Sequence, residues 1–287
     1  MNQHSWFENR VAILATMHQK ERVIAPLLEN ELKLQVVVPS HFNTDDFGTF
    51  TREIKRLGTQ IEAARLKAQK ALELTGKTIA IASEGSFYPH PAFPFLSCDR
   101  EIVLLIDKVN TLEVIGQEIS TETNCNSKTI KSVEEALEFA RKVGFPEHGL
   151  VLMTSQNPTN KEEIIKGIVA EKELIKSVET TLKKSSNGTI HVETDMRAMY
   201  NPTRMKAIEK ATYNLIKKLN RFCPQCLSPG FDIVKRVSGL PCRWCSFPTS
   251  LIRADIYQCQ KCNYNQEVLF PDNVETADPT YCSYCNP

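Results

Sequence analysis

Residues 59–82 read Thr59-Gln60-Ile61-Glu62-Ala63-Ala64-Arg65-Leu66-Lys67-Ala68-Gln69-Lys70-Ala71-Leu72-Glu73-Leu74-Thr75-Gly76-Lys77-Thr78-Ile79-Ala80-Ile81-Ala82. Ile61, Ala64, Leu66, Ala68, Ala71 and Leu72 make an apolar stripe at helical spacing, and Gly76 supplies a C-terminal stop. A strand over Thr78–Ala82 follows at once. Upstream, Val11–Ala15 reads as a strand, Lys20–Leu32 as a helix and Leu34–Val38 as a second strand, followed by a turn-rich segment over 41–48. Downstream, Ile102–Ile106 and Leu112–Ile119 form a hairpin around Asn110. Ser132–Val143 is a helix opened by a Ser132/Glu135 capping box. Leu150–Thr154 and Thr189–Glu193 read as strands, Lys172–Lys183 as a helix, and Pro202 starts a last helix ending near Asn220. Helices alternating with strands predict an α/β fold: a mixed open sheet with helices on its faces over residues 1–221.

Residues 222–287 are of another kind. Eight of the ten cysteines fall here, as Cys223-x-x-Cys226, Cys242-x-x-Cys245, Cys259-x-x-Cys262 and Cys282-x-x-Cys285. Each knuckle sets two thiolates on one tight turn, and two knuckles complete a tetrahedral four-thiolate shell. The expectation is a small double zinc-ribbon module holding two structural zinc ions, with no open coordination position for chemistry. Four thiolates do not by themselves exclude an iron–sulfur cluster. Sequential pairing, first knuckle with second and third with fourth, closes the shortest loops and is expected first; nested and interleaved pairings are the alternatives. Cys98 and Cys125 read as packed or incidental.

The charge is nearly balanced, with 35 basic and 34 acidic residues. From Phe222 onward five basic residues face six acidic ones, and each zinc–tetrathiolate unit adds a formal charge of about −2. A nucleic-acid partner is therefore not expected; contact with a protein partner, or simple structural support, is the role expected of the zinc module. Met1–Arg10 is polar, and no window approaches the roughly twenty apolar residues of a membrane span. A cytoplasmic protein without a membrane partner is expected, its thiolates kept reduced and open to metal.

Four polar clusters fall where strands are predicted to end: Thr16-Met17-His18-Gln19-Lys20-Glu21, Thr44-Asp45-Asp46-Phe47-Gly48-Thr49, Ser83-Glu84-Gly85-Ser86 and Glu193-Thr194-Asp195-Met196-Arg197. Carboxyl ends of strands form the usual ligand crevice of an open α/β sheet. Thr16, His18, Lys20, Asp45, Thr49, Arg197 and Arg204 are the candidate substrate-binding residues, and Lys20, Glu84 and Asp195 the candidate catalytic ones. Lysine and arginine suit an anionic, phosphorylated small molecule, and carboxylates suit Mg²⁺ bound with its phosphates. Each cluster also has a plainer role, as a solvated first turn at Lys20-Glu21 or turn initiation at Asp45-Asp46.

Two resemblances arise at these residues. The stretches Thr16–Glu21, Thr44–Thr51, Glu193–Ala198 and Asn201–Met205, with the terminal cysteines, resemble an uncharacterised bacterial family frequent in cyanobacteria. Over about residues 10–125, Gly58–Ala68 is similar to the Glu-Asn-Ala-x-x-Lys-Ala helix of the inosine/xanthosine triphosphate pyrophosphatases. Ala82–Ser86 is similar to that superfamily's acidic-Gly turn, and Thr16–Lys20 to its Thr-x-Asn-x-x-Lys opening, with His18 in place of the asparagine. That resemblance implies that Lys20 touches triphosphate while Glu62 and Glu84 hold Mg²⁺. Two functions are thus expected: a Mg²⁺-dependent hydrolase or transferase acting on a nucleotide or other phosphorylated molecule, and alternatively a ligand-sensing adaptor that binds a protein through its zinc ribbons.

Overall fold

Apolar strands need both faces covered, and the first sheet shows how this chain covers them. The computed structural model describes residues 6–40, 42–44, 58–90, 92–156, 158 and 160–287; Asp45 and Thr49 lie outside these. Strand β1 (Val11–Ala15) leads through helix α1 (Glu21–Leu32) to β2 (Gln35–Val37). Helix α2 (Gln60–Thr75) precedes β3 (Ile79–Pro89), β4 (Ser97–Asp107) and β5 (Leu112–Ser120). The order is β2-β1-β3-β4-β5, with β1 parallel to β2 and β3, and β3-β4-β5 antiparallel.

Side chains alternate across a strand, and the core divides accordingly. Ala12, Leu14, Ile79, Ile81, Val103 and Leu105 share one cluster with Ile24 and Leu28 of α1 and Ile208 and Leu215 of helix α5 (Pro202–Leu219). Ile13, Ala15, Ala80, Ala82, Ile102 and Leu104 share another with Ala64, Ala68, Ala71 and Leu72 of α2. Helix α2 ends where its sequence predicts, at Gly76, which adopts a left-handed conformation with φ of 64°, and it starts at a capping box formed by Thr59 and Glu62;.

A second, fully antiparallel sheet follows. It comprises β6 (Ser127–Ile130), β7 (Leu150–Met153), β8 (Ile164–Ile168) and β9 (Ile190–Thr194) in the order β6-β9-β7-β8. Helices α3 (Val133–Lys142) and α4 (Glu171–Lys184) cover one face, packing Phe139, Leu174 and Val178 against Leu150, Leu152, Ile190 and Val192. The mixed α/β class holds, but with two open sheets rather than one. Both unforeseen strands, β6 and β8, lie at sheet edges, where burial and hence hydrophobic patterning is weakest. No helix among the described residues is long and apolar enough to cross a membrane.

A second difference matters more. Ser83–Ser86 is not a turn after a strand but the middle of the eleven-residue β3, paired with β4 from Ile79↔Asp107 to Pro89↔Ser97. Charged Glu84 lies within this strand because α2 supplies it with a buried cation, Lys67.

The C-terminal residues form β10 (Asp232–Ser238), β11 (Ile252–Gln258) and β12 (Asn265–Leu269), an antiparallel meander. Its base leans on the first sheet. A Cβ on Gly230 would lie 2.9 Å from Val114, Asp232 pairs with Lys218 of α5, and Lys261 stands over the Trp6 ring.

Among the described glycines, the one pressed closest to neighbouring backbone is Gly116 of β5, where a Cβ would meet Ala211 O at 2.3 Å and Leu215 N at 2.4 Å of α5. Alanine normally favours a strand over glycine, so the expected sign is informative. Gly116→Ala should destabilise the protein by about 1–3 kcal/mol, the usual cost of overpacking, seen as a lower urea midpoint. An unchanged or higher midpoint would mean that α5 does not rest on this strand.

Candidate functional site

In the order 2-1-3-4-5 the strand order reverses between the parallel strands β1 and β3, the switch point at which open α/β sheets bind ligands. Here β1 stops at Ala15, opposite Ala82, while β3 continues to Pro89. Beyond Ala15, β3 therefore has no strand beside it on this side among the described residues, a notch in the sheet that groups from both of its faces can reach. The turn that enters α1 is under local strain, with His18 and Gln19 both in the left-handed region at φ 64° and 60°. Consecutive non-glycine residues there mark a backbone held by its surroundings, a feature that gathers at functional sites.

The notch is lined by an unusual set of buried ionisable groups: Lys20, Lys67, Glu84, Asp99, Glu101 and Arg204 are all buried. On the α2 face, Lys67 Nζ pairs with Glu84 Oε1. Gln60, two helical turns earlier, donates through Nε2 to the backbone carbonyls of Glu84 (2.7 Å) and Arg100 (2.8 Å). On the α5 face, Arg204 Nε donates to Glu101 Oε1 at 2.6 Å, and its Nη1 donates to Met196 O beyond β9. A Cβ at Gly85 would lie 2.2 Å from Glu101 Oε1 and 2.5 Å from Arg204 Nη2, so only glycine admits this ion pair.

Lys20 is different from the other two cations. Its amine makes a hydrogen bond to Ser83 Oγ at 3.1 Å, and among the described residues no carboxylate lies within ion-pairing distance of it. Burial, and next the Arg204 charge, push its pKa down to about 7. Asp99, on the same face of β4 as Glu101, moves the other way. Burial, followed by the Glu101 charge, pushes it up to about 8, and its Oδ1 has no hydrogen-bond partner among the described residues. The notch thus holds an amine and a carboxyl that both change charge near neutral pH, the property that acid–base chemistry needs.

The other expected site residues are placed as follows. Thr16 is buried in the notch turn. Glu62 is exposed and engaged in the capping box, its Oε2 accepting from Thr59 N at 2.6 Å. Asp195 and Arg197 face each other, at 2.6 Å between Nη2 and Oδ2; Asp195 also accepts from Gly167 N, and Arg197 stands over Tyr200. They brace the second sheet, joined to the notch through Arg204 and Met196. Three residues of the site were not expected from the sequence: Lys67, Asp99 and Glu101. Lys67 carried a signal, since it interrupts the Ala64, Ala68, Ala71 stripe of α2 at a core-facing position.

The cysteines make two tight groups, Cys223/Cys226/Cys259/Cys262 and Cys242/Cys245/Cys282/Cys285. Pairing is interleaved, first knuckle with third and second with fourth, rather than sequential. The sheet imposes this. Knuckles one and two flank the seven-residue β10, which holds them roughly 20 Å apart, and each reversal of the meander returns the chain to the opposite end. That geometry outweighs the small entropic advantage of shorter loops. Sulfur–sulfur distances of 3.6 Å (Cys223–Cys262, Cys226–Cys259, Cys245–Cys282) and 3.9 Å (Cys242–Cys285) suit tetrahedral zinc, whose bond length of about 2.3 Å implies edges of about 3.8 Å. Each group can hold one zinc ion. Among the described residues no group of three or more carboxylates or histidines closes around a point in the same way, so the notch has no preformed cage for Mg²⁺.

The interleaving is open to direct measurement. The purified protein should carry two zinc ions per chain by elemental analysis. Cys226→Ser and Cys259→Ser should each release one, and the double variant no more than one. Cys226→Ser with Cys245→Ser should release both. Loss of both ions from the Cys226/Cys259 double variant alone would contradict the pairing.

No curated protein matches this chain. Among solved structures, the crystal structure of protein VC0702 from Vibrio cholerae is similar over 73% of this chain and 94% of its own, at 8% identity and a TM-score of 0.32, too loose a likeness to carry an argument. A family model described as a domain of unknown function, DUF6671, matches residues 67–287, a span holding β3, both four-cysteine groups and every buried ionisable group of the notch except Lys20; the chain belongs to that family.

Proposed function

We propose that the notch between β1 and β3 binds a phosphorylated small molecule, nucleotides included, and acts on it as a hydrolase or transferase. The observation that carries this reading is Lys20: a buried amine at the switch point with no carboxylate partner among the described residues. Burying a cation without a counter-charge is costly, and an anionic ligand supplies the missing charge. Arg204 and Lys67 add positive potential but are already committed to Glu101 and Glu84.

The chemistry follows from the same residues. Lys20 neutralises charge on the bound phosphate, and the strained turn before it presents backbone N–H groups at the start of α1, where a helix favours anions. Asp99, neutral below about pH 8, holds a proton for a leaving oxygen, while Glu84 orients water. Glu84 is the carboxylate that would hold a Mg²⁺ ion, which takes one or two protein carboxylates and completes its shell with phosphate oxygens and water and would screen the phosphate charge.

Lys20→Met is the cleanest test because it breaks no ion pair among the described residues; Glu84→Gln would strand Lys67 and confuse stability with activity. Tripolyphosphate binding, measured by calorimetry, should weaken ten- to a hundredfold in Lys20→Met, the value of a charge-assisted hydrogen bond of about 1.5–3 kcal/mol. The sign of the pH dependence follows from the two groups. Below about pH 7 Lys20 is charged and Asp99 is neutral, and above about pH 8 the reverse holds. Affinity should therefore fall as pH rises from about 7 to about 8, although the ligand itself gains negative charge over that range. Affinity that rises with pH, or that ignores Lys20→Met, would rule this seat out, and a panel of nucleotides with no turnover would rule out the enzyme.

A further inference from the structure

The two four-cysteine groups share one construction but not one surface. In the first, the third residue of each knuckle is polar, Gln225 and Lys261, and the group's core of Cys223, Phe231, Cys259, Tyr257 and Tyr264 faces inward. In the second, the same positions hold Trp244 and Tyr284, which are 74% and 73% exposed. Phe247 stacks on Tyr284 at 6.3 Å between ring centroids and is itself half exposed. A four-thiolate knuckle does not require aromatics at its tip, as the first group shows. These rings lie largely in solvent rather than in a core. An exposed aromatic patch of this kind marks a contact surface.

Charge identifies what it fits. The segments that build this lobe, residues 240–251 and 271–287, contain one basic residue, Arg243, and three acidic ones, Asp272, Glu275 and Asp278. Arg243 is matched by Asp278 at 3.2 Å. With zinc bound, the four thiolates add a further charge of about −2. Phosphate backbones are repelled by such a surface, whereas cations are drawn both to the acidic field and to the faces of the rings.

We infer that the second four-cysteine lobe is a docking surface for a lysine- or arginine-rich segment of a partner protein, with Trp244 and Tyr284 taking its cationic side chains. This does not depend on the reading of the notch: the residues differ and so does the ligand. Charge and ring contact both contribute, and each is measured separately. The zinc-loaded full-length chain is titrated against fluorescein-labelled twelve-residue peptides, one rich in Lys and Arg, one rich in Glu, and one of Gly and Ser, alongside a single-stranded oligonucleotide of matching length. The basic peptide should bind at least tenfold more tightly than the others. Trp244→Ala and Tyr284→Ala should each weaken it about five- to tenfold with zinc content and circular dichroism unchanged, and raising the salt should weaken it further. Equal binding of the basic and acidic peptides, tighter binding of the oligonucleotide, or basic-peptide binding indifferent to both aromatic substitutions would each overturn the proposal.

Discussion

The buried pair between Arg204 and Glu101 is the contact on which the rest of the structure turns. Arg204 is the largest fully buried side chain among the described residues. It comes from the first turn of α5, reaches Glu101 in the first sheet, and through Met196 O holds the loop that leaves the second. A buried ion pair is weak evidence for stability, because apolar replacements of equal volume often do as well. Its effect here is to specify position. Gly85 must remain without a side chain to admit it, Phe87 lies beneath the guanidinium, and Asn201, which caps α5, ties Asn124 to the same junction. It also sets the electrostatics of the notch, since its cation is the main charge opposing protonation of Lys20, and its carboxylate is the main charge opposing ionisation of Asp99.

Much of the architecture could be read from local pattern. Helix α2 announced itself through its stripe and Gly76, and the hairpin β4–β5 through its polar turn. What could not be read was set by partners distant in sequence. Ser83-Glu84-Gly85 looked like the end of a strand because charge is rarely buried in one; Lys67 and Arg204, 17 and 120 residues away in sequence from Glu84, make the continuation of β3 possible. The same holds for the site. Lys20 was visible as a cation beside a predicted strand end and Arg204 as one beside the Pro202 helix start, but Asp99 and Glu101 acquire meaning only when β4 is seen to start at Ser97 and to point both toward α5. The zinc pairing failed on the same ground: a chain-entropy argument worth a fraction of a kcal/mol per doubling of loop length cannot compete with a meander that fixes where each knuckle lies.

The two halves of the molecule thus divide the work by the kind of charge they bury or display. The notch concentrates buried ionisable groups whose protonation is balanced near neutrality, the condition for binding and transforming an anion. The cysteine module closes its metal sites completely, so its chemistry is confined to holding a rigid surface. One lobe is seated against the first sheet and the other carries its aromatics into solvent.

Everything proposed for the notch rests on the ionisation of one amine. Nuclear magnetic resonance titration of the Lys20 side chain, assigned by its loss in Lys20→Met, measures that ionisation without assuming any reaction. An apparent pKa near 7 in the free protein, rising when tripolyphosphate is added, is the predicted result. A pKa near the ordinary lysine value of about 10.4, or one that does not move when the ligand binds, would contradict the assignment of Lys20 as the anion's seat.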